Sequence, residues 1–284
     1  MLAKNAQSCF TLSNGVEMPC IGLGTWKNTD IDACVQAVKC AVDNGYRMFD
    51  TAANYGSQPG LGAGIAACGL KREELFITTK LWNTERGYDK TMAAFDKSMS
   101  ELGLDYLDLY LVHWPAAKHQ FDDWEDINLS TWKAFRELYK AGRIRAIGVS
   151  NFLPHHLAAL MDTDVQPMVN QLQFHPGMLQ QEAVDFCKAN GILVEAWSPL
   201  GSGNIMNDET LKRIAAKYDR SVAQICLRWV LQHEIPPVVK SANPARIAEN
   251  INVFDFEIAD ADMAEIDAMP YVGGLEFFPD SVKF

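Results

Sequence analysis

Short apolar runs alternate with amphipathic stretches along almost the whole chain. The runs near 20–23, 46–50, 75–80, 106–112, 143–149, 168–172, 192–197 and 237–240 have the length and apolar content of buried strands. Between them the apolar positions recur at helical spacing. In 30–44, Ile31, Cys34, Val35, Val38 and Val42 make one stripe, and Gly45 follows as a stop. Similar stripes lie within 88–102, 128–141, 179–190 and 207–218, and 221–232 and 244–250 place helices before and after the last strand. Residues 10–19 read as a β-hairpin turning at Asn14-Gly15. Strand and helix alternating about eight times, without a composition break, predict an α/β chain folded as one closed (β/α)8 (TIM) barrel domain over 1–284 rather than an open sheet. The N-terminal hairpin and extra helices near the C-terminus complete the expected architecture, with 1–7 as a short disordered leader.

Composition narrows the possible functions. The 284 residues are 48% hydrophobic and 21% charged, with a formal net charge of -11. That balance argues against nucleic-acid or anionic-membrane partners, which need clustered positive charge. Seven cysteines, at 9, 20, 34, 40, 68, 187 and 226, form no C-x-x-C pair. Their odd number points to reduced thiols in a cytoplasm. No apolar run approaches the length of a membrane-spanning helix.

A (β/α)8 barrel places its chemistry at the carboxyl ends of its strands, so the polar residues there carry the functional reading. The second strand ends in Asp50, with Tyr55 just beyond; the third ends in Lys80 and the fourth in His113. Ser150-Asn151, Gln171, Trp197-Ser198 and Lys240-Ser241 end or lie on the last four. A phenol becomes a useful proton donor when a nearby ammonium stabilises its anion, and a carboxylate fixes the ammonium. Asp50, Lys80 and Tyr55 supply that set. The competing readings are an Asp cap with a half-buried structural Tyr, a Lys80 that snorkels to solvent, and a hydrogen-bonded structural His113. The remaining histidines have no carboxylate or cysteine partner at ligand spacing, so no metal site is expected. Gly60-x-Gly62-x-Gly64 lacks the G-x-G-x-x-G spacing and does not directly follow a strand, which argues against a Rossmann cofactor loop.

These residues, in this order, resemble the aldo-keto reductase superfamily from Phe10 to about Asp267. The matching motifs are Gly22-Leu23-Gly24-Thr25-Trp26, Gly45-Tyr46-Arg47-Met48-Phe49-Asp50-Thr51-Ala52, Ile77-Thr78-Thr79-Lys80-Leu81-Trp82 and His113-Trp114-Pro115. Ile147-Gly148-Val149-Ser150-Asn151-Phe152, Asn170-Gln171, Trp197-Ser198-Pro199-Leu200-Gly201 and Lys240-Ser241 follow. Trp197 and a short tail look more like the microbial 2,5-diketo-D-gluconate reductase branch than the mammalian aldose reductase branch. The resemblance implies a catalytic tetrad of Asp50, Tyr55, Lys80 and His113. It implies NADPH held by Thr25, Ser150, Asn151, Gln171, Trp197, Ser198, Leu200, Ser202, Lys240, Ser241, Arg246, Glu249 and Asn250. Two departures stand out: Ser57-Gln58-Pro59-Gly60 replaces an acidic stretch and stiffens the loop after Tyr55, and Val238-Val239 replaces Ile-Pro before Lys240.

The implied reaction is hydride transfer from NADPH to an aldehyde or ketone. Trp197 would stack on the nicotinamide, while Ser150, Asn151 and Gln171 hold its carboxamide. Tyr55 would act as general acid with its pKa lowered by Lys80, and neutral His113 would donate to the carbonyl oxygen. Lys240, Ser241 and Arg246 would take the 2′-phosphate; alternatively, Arg246 is a solvated residue paired with Glu249 or Glu257. Trp26, Trp82 and Trp114, with Phe121, Trp124, Phe277 and Phe278, would wall a substrate pocket whose selectivity lies in 115–127 and 271–284. The expected partner is a small carbonyl compound, and the expected state is a cytoplasmic monomer. The same barrel could work mainly as an alcohol dehydrogenase, or as a non-catalytic NADPH-binding module.

Overall fold

The computed structural model describes residues 3–271 and 275–284. A short antiparallel hairpin, β1 (Cys9–Thr11) and β2 (Glu17–Pro19), leads into eight parallel strands that close on themselves. These are β3 (Gly22–Gly24), β4 (Met48–Asp50), β5 (Phe76–Leu81), β6 (Leu107–Val112), β7 (Ile144–Ser150), β8 (Val169–Gln173), β9 (Leu193–Trp197) and β10 (Pro237–Lys240). β10 pairs with both β9 and β3, which closes the barrel. Every residue of β4, β5 and β6 is buried, because side chains fill the inside and helices cover the outside. That double burial is why these strands read as apolar runs.

The helices follow their sequence signals. α1 (Ile31–Asp43) starts where Asp30 accepts the Ala33 N–H at 2.8 Å, and is followed by Gly45 with φ +98°. α2 (Gln58–Ala67) is a correction: 57–60 was expected to be a loop stiffened by proline. Pro59 instead sits in the first turn of a helix, where its missing N–H costs nothing. Gly60, Gly62 and Gly64 explain the composition. A Cβ on Gly60 would lie 2.8 Å from Cys34 Cβ, one on Gly64 2.8 Å from Val38 Cβ, and one on Gly62 2.4 Å from the Leu102 carbonyl oxygen. The glycines let α2 lie directly on its neighbours.

α3 (Tyr88–Leu102), α4 (Trp124–Lys140), α5 (Pro154–Met161), α6 (Gln181–Ala189), α7 (Glu209–Tyr218), α8 (Val222–Gln232), α9 (Pro244–Ile251) and α10 (Asp260–Asp267) complete the order. α4 starts at Trp124, ahead of the expected 128. Neither α5 nor α10 has a stripe strong enough to be singled out in the sequence. The expected leader also differs. Met1 and Leu2 lie outside the described residues, but Ala3 is buried and its carbonyl accepts from Arg228 Nη1 at 3.4 Å. The Asn5 carbonyl likewise accepts from Cys20 Sγ at 3.4 Å, so 3–7 packs on the barrel.

Candidate active site

Register brings the first group together. Asp50 ends β4, and Lys80 lies near the end of its neighbour β5. The lysine does not snorkel: its side chain is 1% exposed, and Nζ donates to Asp50 Oδ1 (2.5 Å), Asp50 Oδ2 (2.7 Å) and the Thr51 carbonyl (3.0 Å). Burial works to strip the ammonium of its proton, but the attraction of Asp50, then Tyr55, outweighs it and raises the Lys80 pKa. Thr25 braces the carboxylate strand. Its Oγ1 donates to the Asp50 carbonyl (3.0 Å) and shares a hydrogen bond with Ser57 Oγ (2.8 Å). Thr25 therefore stands behind the site rather than on the cavity wall.

Tyr55 ends a single 3₁₀ turn (Ala53–Tyr55), and Gly56 follows at φ 70°. Lys80 Nζ lies 5.1 Å from its ring centroid. The lysine pulls the phenol's pKa down as expected, yet the net direction is up, because burial is the larger effect and Asp50 adds to it. The consequence is a phenol that holds its proton at neutral pH, with an ammonium beside it to receive the anion once the proton leaves. His113 follows β6. Its N–H donates to the Leu81 carbonyl (3.2 Å), its carbonyl accepts from Asn151 Nδ2 (3.0 Å), and its ring meets Tyr55 and Trp82 edge-on at centroid distances of 5.6 and 5.3 Å. Burial, then the charge of Lys80, holds its pKa well below the ordinary histidine value. The imidazole is neutral.

Asp50, Tyr55 and His113 line a cavity of about 860 Å³, and Lys80 reaches it through its bond to Asp50. Trp26, Trp82 and Trp114 line one end, joined by Leu275, Phe277 and Phe284. Phe284 stacks on Trp82 at 5.6 Å and meets Trp114 edge-on at 5.4 Å. The tail that carries it is tied down by Asn83 and Gln120, whose amides donate to the main-chain oxygen of Phe284 at 3.1 and 3.0 Å. The other aromatics named from sequence lie elsewhere. Phe121 covers Arg86 in a neighbouring groove, Trp124 packs edge-on against His155 and His156, and Phe278 does not line the cavity. Within the selectivity segment 271–284, residues 272–274 lie outside the described residues.

The same cavity is also lined by Ser150, Asn151, Gln171 and Trp197, and by Lys240, Arg246, Glu249 and Asn250. Trp197 Nε1 donates to Asn151 Oδ1 (2.8 Å), which locks the indole plane. Asn151 Nδ2 is taken by Ser150 Oγ and the His113 carbonyl, so the asparagine has only acceptor capacity left for a ligand. Ser198 and Ser202 both have positive φ, share a 2.9 Å hydrogen bond and line the wall with Leu200. Val238 and Val239 line it beside Lys240. Ser241 is buried off the wall, and its Oγ accepts the Asn243 N–H at the start of α9. Lys240 and Arg246 are exposed, and neither makes an ion pair among the described residues. The expected alternative, Arg246 paired with Glu249 or Glu257, is not what forms.

Two groups escaped the sequence reading. Glu195 on β9 is fully buried, and its Oε2 accepts from Gln171 Nε2 at 2.6 Å; the same nitrogen donates to Asp50 Oδ2 at 3.0 Å. Burial, then Asp50, pushes the Glu195 pKa up to about 8. A glutamate between apolar neighbours in a strand is the signal that could have found it. Away from the cavity, Asp280 of the tail lies 3.1 Å from His155 Nε2 and 3.2 Å from His156 Nε2. Spacing along the chain gave no hint of this trio. The Leu153 N–H donates to His156 Nδ1 at 3.2 Å, which leaves the proton of the neutral ring on Nε2. Burial, then His155, pushes the His156 pKa down to about 4. A protonated Nε2 has no lone pair for a metal; His156 Nε2 makes no hydrogen bond among the described residues, and it is His155 that holds Asp280 and with it the tail.

Comparison with known proteins agrees with this geometry. Residues 20–270 match the Aldo/keto reductase family. The chain is 51% identical over 259 residues to a glyoxal reductase of Bacillus subtilis, covering 91% of each sequence. Among solved structures it resembles an aldo-keto reductase from a Medee basin deep-sea metagenome library, at 43% identity and a TM-score of 0.91, covering 97% of this chain and 100% of that one. It also resembles a Bombyx mori aldo-keto reductase solved in complex with NADP, at 38% identity and a TM-score of 0.85, covering 93% of each. A closed eight-stranded barrel, a buried Lys–Asp pair beside a tyrosine, and a match over most of the sequence lead to one conclusion: the chain belongs to the aldo/keto reductase family.

Proposed function

We propose that the protein is an NADPH-dependent reductase of aldehydes and ketones in which Tyr55 is the general acid. The observation that carries this reading is the continuity of one cavity. It joins Tyr55 and His113, with the Asp50–Lys80 pair at its base, to the unpaired cations Lys240 and Arg246. NADPH carries a phosphate on the 2′-oxygen of its adenosine ribose, and the cavity wall carries two cations, Lys240 just before α9 and Arg246 in its first turn, that suit it. The flat Trp197 ring and the acceptors on Asn151 and Gln171 suit a planar ring bearing an amide. NADPH bound there supplies the hydride.

The chain's own residues supply the proton and the position. Tyr55 keeps its proton until the carbonyl oxygen gathers negative charge, then gives it up with Lys80 stabilising the phenolate. Neutral His113 donates to the same oxygen, where developing charge strengthens that bond. Trp26, Trp82, Trp114 and Phe284 enclose the substrate in apolar surface. The relative named for glyoxal makes small reactive carbonyl compounds the first substrates to try. Seven unpaired cysteines fit a reducing cytoplasm, and no helix among the described residues is long and apolar enough to cross a membrane.

The test is loss of NADPH absorbance against a panel of dicarbonyls, aldoses and aryl aldehydes. Turnover with at least one of them is expected. Tight NADPH binding with no turnover on any would favour the binding-module reading.

A further inference from the structure

The Asp50–Lys80 pair is not isolated. Asp50 Oδ2 and Glu195 Oε2 accept from the same amide nitrogen of Gln171, at 3.0 and 2.6 Å. Gln171 and Glu195 face each other in the β8–β9 register, and both are buried. The amide orientation follows from charge. Turned over, its carbonyl oxygen would face the Asp50 carboxylate, which already accepts from Lys80. The NH2 end therefore points to the two carboxyl groups, and Gln171 Oε1 is left as an acceptor at the cavity it lines.

Glu195 Oε1 is buried and makes no hydrogen bond among the described residues. The charged groups acting on Glu195 are Asp50 on β4 and Lys80 on β5. Gln171 comes from β8, and β10 presents Pro237, Val238 and Val239. One ammonium thus stands against two carboxyl groups, and it is already held by both oxygens of Asp50. A second carboxylate there would be a buried charge with no cation of its own.

We propose that Glu195 is a positioning residue of this site: with Asp50 it fixes the Gln171 amide, and it carries a proton so that no second negative charge lies under the Asp50–Lys80 pair. The inference rests on the reductase reading, in which Gln171 faces the nicotinamide amide. Releasing the Glu195 proton adds a carboxylate that competes for the Lys80 ammonium and withdraws it from the Tyr55 phenolate.

Two variants and two kinds of measurement test this. Glu195→Val removes the acceptor from Gln171, and NADPH affinity or kcat is expected to fall roughly 2- to 12-fold, the range for one neutral hydrogen bond. Glu195→Gln keeps an acceptor and is expected to recover most of that loss, but it cannot ionise. Wild-type turnover should then break near pH 8, and the Glu195→Gln profile should lack that break. The second measurement needs no cofactor. A carboxyl whose folded pKa lies above its ordinary value contributes stability that is complete below about pH 4.5 and is lost as pH rises to about 8. Denaturation midpoints of wild type should therefore fall relative to Glu195→Gln across that window. Parallel stability curves would overturn the bound proton even if Glu195→Val fails to fold. A well-folded Glu195→Val with wild-type NADPH affinity and kcat would overturn the positioning role. Failure of wild type to consume NADPH with any carbonyl compound would sink the reductase reading instead, and the stability curves would still decide whether Glu195 holds a proton.

Discussion

Replacing Lys80 with methionine tests the base of the site, and its pH dependence is unusual enough to be diagnostic. Methionine has similar length and fills the buried channel, so packing is largely kept. What disappears is three hydrogen bonds and the positive charge that matches Asp50. Leaving a buried carboxylate unmatched costs about 3–5 kcal/mol. The variant has an escape, which is to protonate a carboxyl. For a carboxyl of ordinary acidity that costs about 4 kcal/mol at pH 7 and about 1.5 kcal/mol at pH 5. The loss relative to wild type should thus be about 3–4 kcal/mol at pH 7 and shrink by about 2–3 kcal/mol at pH 5. The sign follows from linkage: a carboxyl that prefers its proton in the folded state stabilises below its unfolded pKa, and that stability is lost as pH rises. Urea denaturation of both proteins at the two pH values measures it. A Lys80→Met protein as stable as wild type at pH 7, or equally damaged at both, would refute a buried, matched ion pair. Turnover should fall at least about 100-fold, since the phenolate loses its partner.

Further outcomes follow from the rest of the site. Tyr55→Phe should cut turnover by about 10²–10⁴-fold and leave NADPH affinity near normal, as read by tryptophan fluorescence; reduction at the wild-type rate would remove Tyr55 as the acid. Arg246→Ala should weaken NADPH binding roughly 10- to 100-fold and leave NADH almost unchanged, because only NADPH carries the 2′-phosphate; equal losses would place Arg246 elsewhere. His113 is held neutral by burial and the Lys80 charge, so kcat should show no histidine titration near pH 6.5. An inflection there that vanishes in His113→Gln would contradict that state.

The sequence made some of this legible because each strand of a doubly covered barrel is an apolar run with a polar residue at its end. Asp50, Lys80 and His113 could be found from that pattern alone, and the roles proposed for them come from the resemblance to the family's motifs. Glu195 was hidden by the same geometry. Alternation in an exposed sheet sends polar residues to water, whereas here the strand's polar position points into the barrel, where its cross-strand neighbour Gln171 and, through that amide, Asp50 on the non-adjacent β4 explain it. Phe284 lies within the expected selectivity segment 271–284 but could not be singled out there: the tail has no period, and its course depends on long-range hydrogen bonds from Asn83 and Gln120. The direction of the Tyr55 pKa depended on depth, which residue identity does not encode.

The glycines of α2 make the placement of Tyr55, the proposed proton donor, a matter of mechanical tolerance. Tyr55 is joined to this helix by Gly56 and Ser57, and Gln58 in its first turn accepts a hydrogen bond from Thr79, the residue before Lys80, at 2.7 Å. A single methyl at position 62 would meet the Leu102 carbonyl oxygen at 2.4 Å, so α2 and the end of α3 must part, and a displaced α2 would carry the phenol with it. Gly62→Ala should therefore damage turnover more than stability, though it touches neither cofactor nor substrate. Here a residue that does no chemistry acts as the spacer that sets a reach, and a survey confined to the cavity wall would pass it by.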